Sequence, residues 1–480
     1  MTTTTNAALR QLPSVSQLLE SPALAEPRAL LGHESLAQLA RAALTEARQQ
    51  IVLEAASPSR DAWLERLVPR VVELAHQQTH SRLGPVLNAT GVVLHTSLGR
   101  APLSHKARAA LLGASGGCNL EVDLLTGDRR PRGHQLQALF HQLTGAEAAL
   151  VVNNNAAATV LALAALAGGR EVLLSRGQLV EIGGSFRLPE IFAVSGAMLR
   201  EIGTTNVTRL SDYHSACTPS TAALLRVHSS NYRITGFSHS PSLPELVALA
   251  HDRGIHCIDD IGSGCLVDTA TLGLPREPTF QDSLAAGADL VLGSGDKLLG
   301  GPQCGILLGR RPLIDRIASH PLARAFRVDK LTLAALQATL ESYLLGQHWH
   351  ELPTLQLLKT PVAALRERAD RLALRWQTHL AHDPSRQVSV ELQSAPVGGG
   401  SLPMAELPTA VLRLHDQQLA PDQLASRLRL GPPRIFPRVA TGDVLIDLRA
   451  LLPEEDETLA TGIERLWLSR PTQPTHNVAG

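Results

Sequence analysis

The sequence predicts an α/β protein. It has a mainly parallel central sheet, a small N-terminal helical domain and an α+β C-terminal domain. Three observations predict this. Apolar residues at helical spacing run through residues 1–80. From about Leu83, short apolar runs alternate with helical stretches, and each run ends in polar residues. After about Phe326 a strong helix gives way to strand-like alternation among many prolines and glycines. Strands separated by helices build parallel sheets. The expected domains are 1–80, 81–328 and 329–470, with a loose tail at 471–480.

In chain order, Leu36, Leu39, Ala43, Ala47 and Ile51 share one face of a first helix. Ser57-Pro58-Ser59 breaks it, and Asp61 is placed to cap a second helix carrying Leu64, Leu67, Val71 and Leu74. Five strand-like runs follow: 149–152, 172–174, 224–227, 255–258 and 290–292. They end in Asn153-Asn154-Asn155, Ser175-Arg176-Gly177, His228-Ser229-Ser230-Asn231, Asp259-Asp260 and Gly293-Ser294-Gly295-Asp296-Lys297. Open α/β sheets bind ligands beyond the carboxyl ends of their strands, so these polar clusters are where function is sought. The weakly polar stretch 156–169 is too short to span a membrane and reads as a buried helix. Residues 330–336 open a further helix, and 388–392 and 444–448 alternate as strands.

Composition excludes several classes. The 480 residues carry 44 basic and 44 acidic side chains, so neither a globally basic nucleic-acid coat nor a polyanionic tail fits. Aromatics at 3% leave little for base stacking. Five dispersed cysteines without a CxxC pair read as reduced thiols. With no cationic, apolar leader at the start, a cytoplasmic location is expected. GxxxxGK[ST] and HExxH are absent, no GxSxG nucleophile elbow is expected, and the glycines at 113–117 and 398–400 lack GxGxxG spacing. No metal site is expected. His348-Trp349-His350 reads as surface rather than as ligands.

Lys297 carries the most information. Only four of the 44 basic residues are lysines. Arginine stays protonated and forms no Schiff base, whereas a lysine amine of lowered pKa does. Ser294, three residues earlier, offers a hydroxyl to a phosphate. Asp260 ends another strand and offers a carboxylate. Asn155-Ala156-Ala157 offers backbone N–H groups at a helix start. Pyridoxal phosphate needs these three things: a lysine, a carboxylate on its ring nitrogen, and phosphate donors. Taken singly, each has a plainer reading as a solvated lysine, an N-cap or a turn residue. Together, in this order on strand ends, they point to that cofactor.

The chain then resembles one family, the bacterial selenocysteine synthases. The resemblance rests on Leu87-Asn88-Ala89-Thr90-Gly91-Val92-Val93-Leu94-His95-Thr96-Ser97-Leu98-Gly99-Arg100 and on Glu181-Ile182-Gly183-Gly184-Ser185-Phe186-Arg187. It continues in Gly203-Thr204-Thr205-Asn206, Asp260-Ile261-Gly262-Ser263-Gly264 and Ser294-Gly295-Asp296-Lys297-Leu298-Leu299-Gly300-Gly301-Pro302. His320-Pro321-Leu322, leading into Arg324 and Arg327, also fits.

The resemblance implies a fold-type-I pyridoxal-phosphate transferase working as a ring of dimers, with an N-terminal domain that grips tRNA. It implies conversion of seryl-tRNA(Sec) to selenocysteinyl-tRNA(Sec), with selenophosphate as donor, through an aminoacrylate intermediate. Lys297 and Asp260 would be catalytic. Asn155, Ala156, Ala157, Ser230 and Ser294 would join them around the cofactor, and Arg100, Arg324 and Arg327 would bind the selenium donor. The sequence departs from the family at Gln178, Val207, Cys304 and Arg129-Arg130-Pro131-Arg132. Two alternatives remain open at this point. One is a pyridoxal-phosphate lyase or desulfurase acting on a free small amino acid, with Cys304 as the nearby thiol. The other is a tRNA-binding protein on a degenerate cofactor fold.

Overall fold

The computed structural model describes residues 8–54, 58–80, 83–182 and 186–468. Gly183, Gly184, Ser185 and the tail at 471–480 lie outside the described residues. The chain divides into two compact units, Met1–Val86 with Ser426–Ile435, and Leu87–Ala425 with Phe436–Gly480.

The first unit is helical. Ser14 and Gln17 close a reciprocal cap on the helix Val15–Leu19. The two long helices His33–Glu54 and Arg60–His80 pack together through Leu36, Ala40, Ala43, Trp63, Leu67 and Val71. The apolar faces expected from spacing are thus the buried ones. The cap differs from expectation: Ser59 Oγ accepts from the Ala62 amide at 3.3 Å, and Asp61 sits inside the first turn. A serine just outside a helix reaches the third amide, whereas a residue already inside does not.

In the second unit, a seven-stranded sheet runs Ala148–Val152, Gly305–Gly309, Leu290–Ser294, His256–Gly262, Thr221–Val227, Glu171–Ser175, Met198–Ile202. The last five pair parallel. All five expected runs are strands of this sheet. Two strands are additional. Met198–Ile202 is an edge strand with Arg200 and Glu201 inside it, so its sequence lacks an apolar signature. Gly305–Gly309 returns directly from the lysine loop and pairs antiparallel on both sides, with no helix before it to announce a strand.

Helix Asn155–Ala167 packs its small residues into the core under the sheet, as the run 156–169 predicts. A five-stranded sheet forms from Leu87–Ala89, Ile435–Ala440, Asp443–Asp447, Glu406–Asp416 and Arg386–Pro396. The helix expected at 330–336 extends over Lys330–Leu344. His348 is half-buried and stacks on Tyr343 with ring centroids 4.9 Å apart, so it packs more than a surface reading implies. Among the described residues no helix is long and apolar enough to cross a membrane, and no cluster of His, Cys, Asp and Glu forms a metal site.

Candidate active site

The carboxyl ends of the parallel strands Thr221–Val227, His256–Gly262 and Leu290–Ser294 meet at one cavity of about 250 Å³. Its lining includes Lys297, Asp260, Ser294, Ser230, Asn155, Ala156 and Arg100. Strand Leu290–Ser294 delivers Ser294 and, three residues on, Lys297. The neighbouring strand His256–Gly262 delivers Asp260, and Thr221–Val227 ends just before His228 and Ser230. Parallel pairing aligns these ends, so residues far apart in sequence meet at one edge.

Lys297 is 4% exposed and donates no hydrogen bond to the described residues. Burial lowers its pKa below the ordinary lysine value, and the nearby Arg100 guanidinium lowers it further. Arg100 itself is tied down, with Nη1 donating to Asp296 Oδ2 at 2.8 Å. A buried lysine of lowered pKa presents a neutral, nucleophilic amine.

Asp260 is held on three sides. Asn155 Nδ2 donates to Oδ1 at 2.9 Å, the Gly262 amide donates to Oδ1 at 3.0 Å, and Thr159 Oγ1 donates to Oδ2 at 3.2 Å. Burial nevertheless pushes its pKa up, with those donors and Lys297 pulling it back. Such a carboxylate gains when a cation, such as a protonated pyridine nitrogen, comes beside it.

Helix Asn155–Ala167 points its start at the cavity. Asn154 Oδ1 caps it by accepting from the Ala157 amide at 2.8 Å. The Ala157 amide is therefore taken, and Ala157 does not line the cavity. The amides of Asn155 and Ala156, which have no acceptor within their own helix, are the ones that could receive a phosphate. Ser230 Oγ and Asn155 Oδ1 are buried without a partner among the described residues. Both atoms belong to residues that line the cavity and are open to a ligand there. The donor set, the free amine and these two atoms together fit pyridoxal phosphate.

Sequence reasoning missed several contributors. Thr159 lies one turn beyond Asn155 on the same helix face, and that spacing was the available signal. Asp296 adjoins Lys297 in sequence and anchors Arg100. Val180, Ile182 and Leu188 supply an apolar wall. Gln178, one of the departures, accepts from the Val227 amide at 3.1 Å and so braces the strand that ends at the site.

Arg324 and Arg327 are not beside Arg100. They line a second cavity with Arg132, Val152 and Val328. The strand end separates the two cavities: Val152 lines the second and Asn154 the first. Cys304 is fully buried and burial pushes its thiol pKa up, so it is not the exposed, reactive thiol that a desulfurase requires.

A family model described as L-seryl-tRNA selenium transferase matches residues 86–452, and another described as Selenocysteine synthase N terminal matches residues 9–48. The chain belongs to the L-seryl-tRNA selenium transferase family. It is 46% identical over 457 residues to the L-seryl-tRNA(Sec) selenium transferase of Moorella thermoacetica, covering 95% of this chain and 96% of that one. It is 44% identical over 452 residues to that of Carboxydothermus hydrogenoformans, covering 93% and 95%. Among solved structures, D-glucosaminate-6-phosphate ammonia-lyase superposes with a TM-score of 0.55 at 20% identity, covering 82% of this chain and 97% of that one. That likeness concerns the fold. In this transferase family member, as expected from the sequence, the fold is α/β with a mainly parallel central sheet, and it is shared with that ammonia-lyase.

Proposed function

We propose that this chain converts seryl-tRNA(Sec) to selenocysteinyl-tRNA(Sec), taking selenium from selenophosphate and using pyridoxal 5′-phosphate bound at Lys297. The observation that carries the reading is the buried Lys297 amine sharing one cavity with the buried Asp260 carboxylate, in a member of the selenium transferase family. When bound, the cofactor supplies an electron sink for the charge left at the seryl Cα.

The chain's own residues do the rest. Lys297 would hold the cofactor, and its amine would serve as the general base for the Cα proton; its lowered pKa suits that task. Asp260, oriented by Asn155 and Thr159, would be the carboxylate that keeps the ring nitrogen protonated. The amides of Asn155 and Ala156, with Ser294, receive the phosphate. Ser230 Oγ, without another partner, is the donor for the ring hydroxyl. The seryl hydroxyl leaves Cβ as water before selenium enters there. Arg100 in the lysine cavity, and Arg324 and Arg327 in the second cavity, are the groups assigned to the anionic donor, since a guanidinium fork matches phosphate oxygens. The N-terminal unit is assigned to tRNA binding and the assembly to a homo-oligomer, both on the family resemblance.

The test is to incubate purified protein with seryl-tRNA(Sec) and selenophosphate, then identify the esterified amino acid. Selenocysteine supports the reading. Unchanged serine from a protein loaded with cofactor overturns it. Turnover of free serine or cysteine in preference to the charged tRNA favours the lyase alternative.

A further inference from the structure

The segment 398–404 has an unusual backbone. Gly398, Gly399, Gly400, Leu402 and Met404 have φ of +88°, +63°, +69°, +51° and +65°. Glycine adopts such angles freely, but leucine and methionine carry a Cβ that disfavours them. This same segment closes over the lysine. A Cβ placed on Gly400 would lie 3.6 Å from Lys297 Nζ and 3.5 Å from Ser230 Oγ. Backbone strain of this kind persists only where surrounding contacts over-determine it.

Glu277 supplies such a contact. It is 2% exposed, on a loop remote in sequence. Its Oε2 accepts from the Leu402 amide at 3.3 Å. Its Oε1 lies 3.4 Å from His228 Nε2, on a side chain that lines the lysine cavity. Among the described residues neither of those two atoms has a hydrogen-bond partner, so they meet as a close approach of imidazole and carboxylate rather than as a hydrogen bond. The Glu277 backbone is fixed as well: its amide donates to Thr269 Oγ1 at 2.9 Å, and that hydroxyl donates to Pro275 O at 2.6 Å. One buried carboxylate therefore touches the roof through one oxygen and the wall through the other.

We propose that Glu277 is a positioning residue that ties the 398–404 roof to the His228 wall and so holds the roof over Lys297. It acts through Leu402 and His228. It lines the neighbouring cavity with His228, not the one that holds Lys297.

Hydrogen exchange on the full-length, cofactor-free protein tests this directly. In Glu277→Ala, exchange across 398–405 rises about tenfold, the loss of one hydrogen bond to a charged acceptor. The strand Leu290–Ser294 stays protected. In Glu277→Gln the amide oxygen still accepts from Leu402, so roof exchange remains near wild type. Glu277→Asp keeps the charge but falls short of Leu402 and behaves like the alanine variant, which covers the case in which Glu277→Ala does not fold. With substrate, Glu277→Ala lowers kcat while the visible absorbance of bound cofactor is kept, and Glu277→Gln recovers most of the loss. Wild-type roof exchange in both the alanine and aspartate variants overturns the proposal. So does equal loosening in the glutamine variant, or a rise spread evenly over the whole fold. The exchange measurement needs no substrate, so it stands even if the proposed transfer activity fails.

Discussion

Asn155 Nδ2 and Asp260 Oδ1 are joined by a 2.9 Å hydrogen bond although 105 residues separate them in the chain. One residue thus opens the helix that starts at the lysine cavity and also steadies the buried carboxylate in that cavity. In Asn155→Ala that donor is lost and Asp260 keeps only the Gly262 amide and Thr159. Leaving a buried carboxylate short of a donor costs about 1–3 kcal/mol. The Asp260 pKa, already raised by burial, rises further because a donor that favoured the ionised form is gone. Ionised Asp260 is then lost at a higher pH as solutions are acidified. The acid limb of the pH–rate profile moves to higher pH, and cofactor binds more weakly at the acid end. Steady-state rates from weakly acidic to neutral pH check this, and an unmoved limb contradicts it.

Burial and Arg100 hold the Lys297 amine below the usual lysine pKa. Only the neutral amine captures an aldehyde, so loading of the cofactor-free protein speeds up as pH rises through this depressed pKa. The midpoint lies below the ordinary value of 10.5 for a lysine. Arg100→Gln removes a positive neighbour and moves the midpoint upward. Lys297→Ala gives no visible absorbance and lowers transfer by roughly a hundredfold or more, the usual scale for losing a general base. Stopped-flow absorbance against pH measures the first two, and a midpoint at or above the ordinary lysine value would sink the account.

Much of the site was legible because its chemistry sits on strand ends. Lys297, Asp260 and Ser294 follow apolar runs that could be recognised locally, and parallel pairing then brings those ends together. Lys297 stood out further because the chain otherwise uses arginine for positive charge. What could not be read depends on long-range packing. Nothing local announces that Glu277 meets Leu402, or that the Ala157 amide is already taken by Asn154. Arg100 and Arg324 match one family pattern, yet a strand end divides their cavities, and only the folded chain shows that. The antiparallel strand Gly305–Gly309 escaped for a similar reason. Its direction is set by the short lysine loop before it, and apolar content carries no sign of direction.

Gly264 is needed for two reasons at once. Its φ is +65°, and a Cβ there would lie 1.9 Å from the Ser294 carbonyl oxygen. Ser294 cannot retreat without moving Lys297. Gly264→Ala therefore lowers both thermal stability and cofactor stoichiometry. Gly254 is a matched control, since it has the same φ of +65° but nothing within 4 Å of where its Cβ would stand. Gly254→Ala bears only the backbone strain, roughly 1–3 kcal/mol, and keeps full cofactor binding. Calorimetry with cofactor titration separates the two, and equal cofactor loss in both variants would refute the steric argument.

Arg324 and Arg327 form no ion pair among the described residues, whereas Arg132 beside them is paired with Glu121 at 3.2 Å. Unpaired guanidinium groups around a cavity suit an anion from solution. In Arg324→Ala the KM for selenophosphate rises about tenfold or more, the scale of one charged hydrogen bond, while cofactor affinity is unchanged because the cofactor cavity lies across the strand end. Arg100→Ala behaves differently. It frees Asp296 beside Lys297, so it weakens cofactor binding and turnover together. Kinetics with selenophosphate varied at fixed seryl-tRNA(Sec), alongside cofactor titrations, distinguish these outcomes. Equal losses of donor use and cofactor affinity in Arg324→Ala would make that arginine a structural residue and leave the donor site to Arg100.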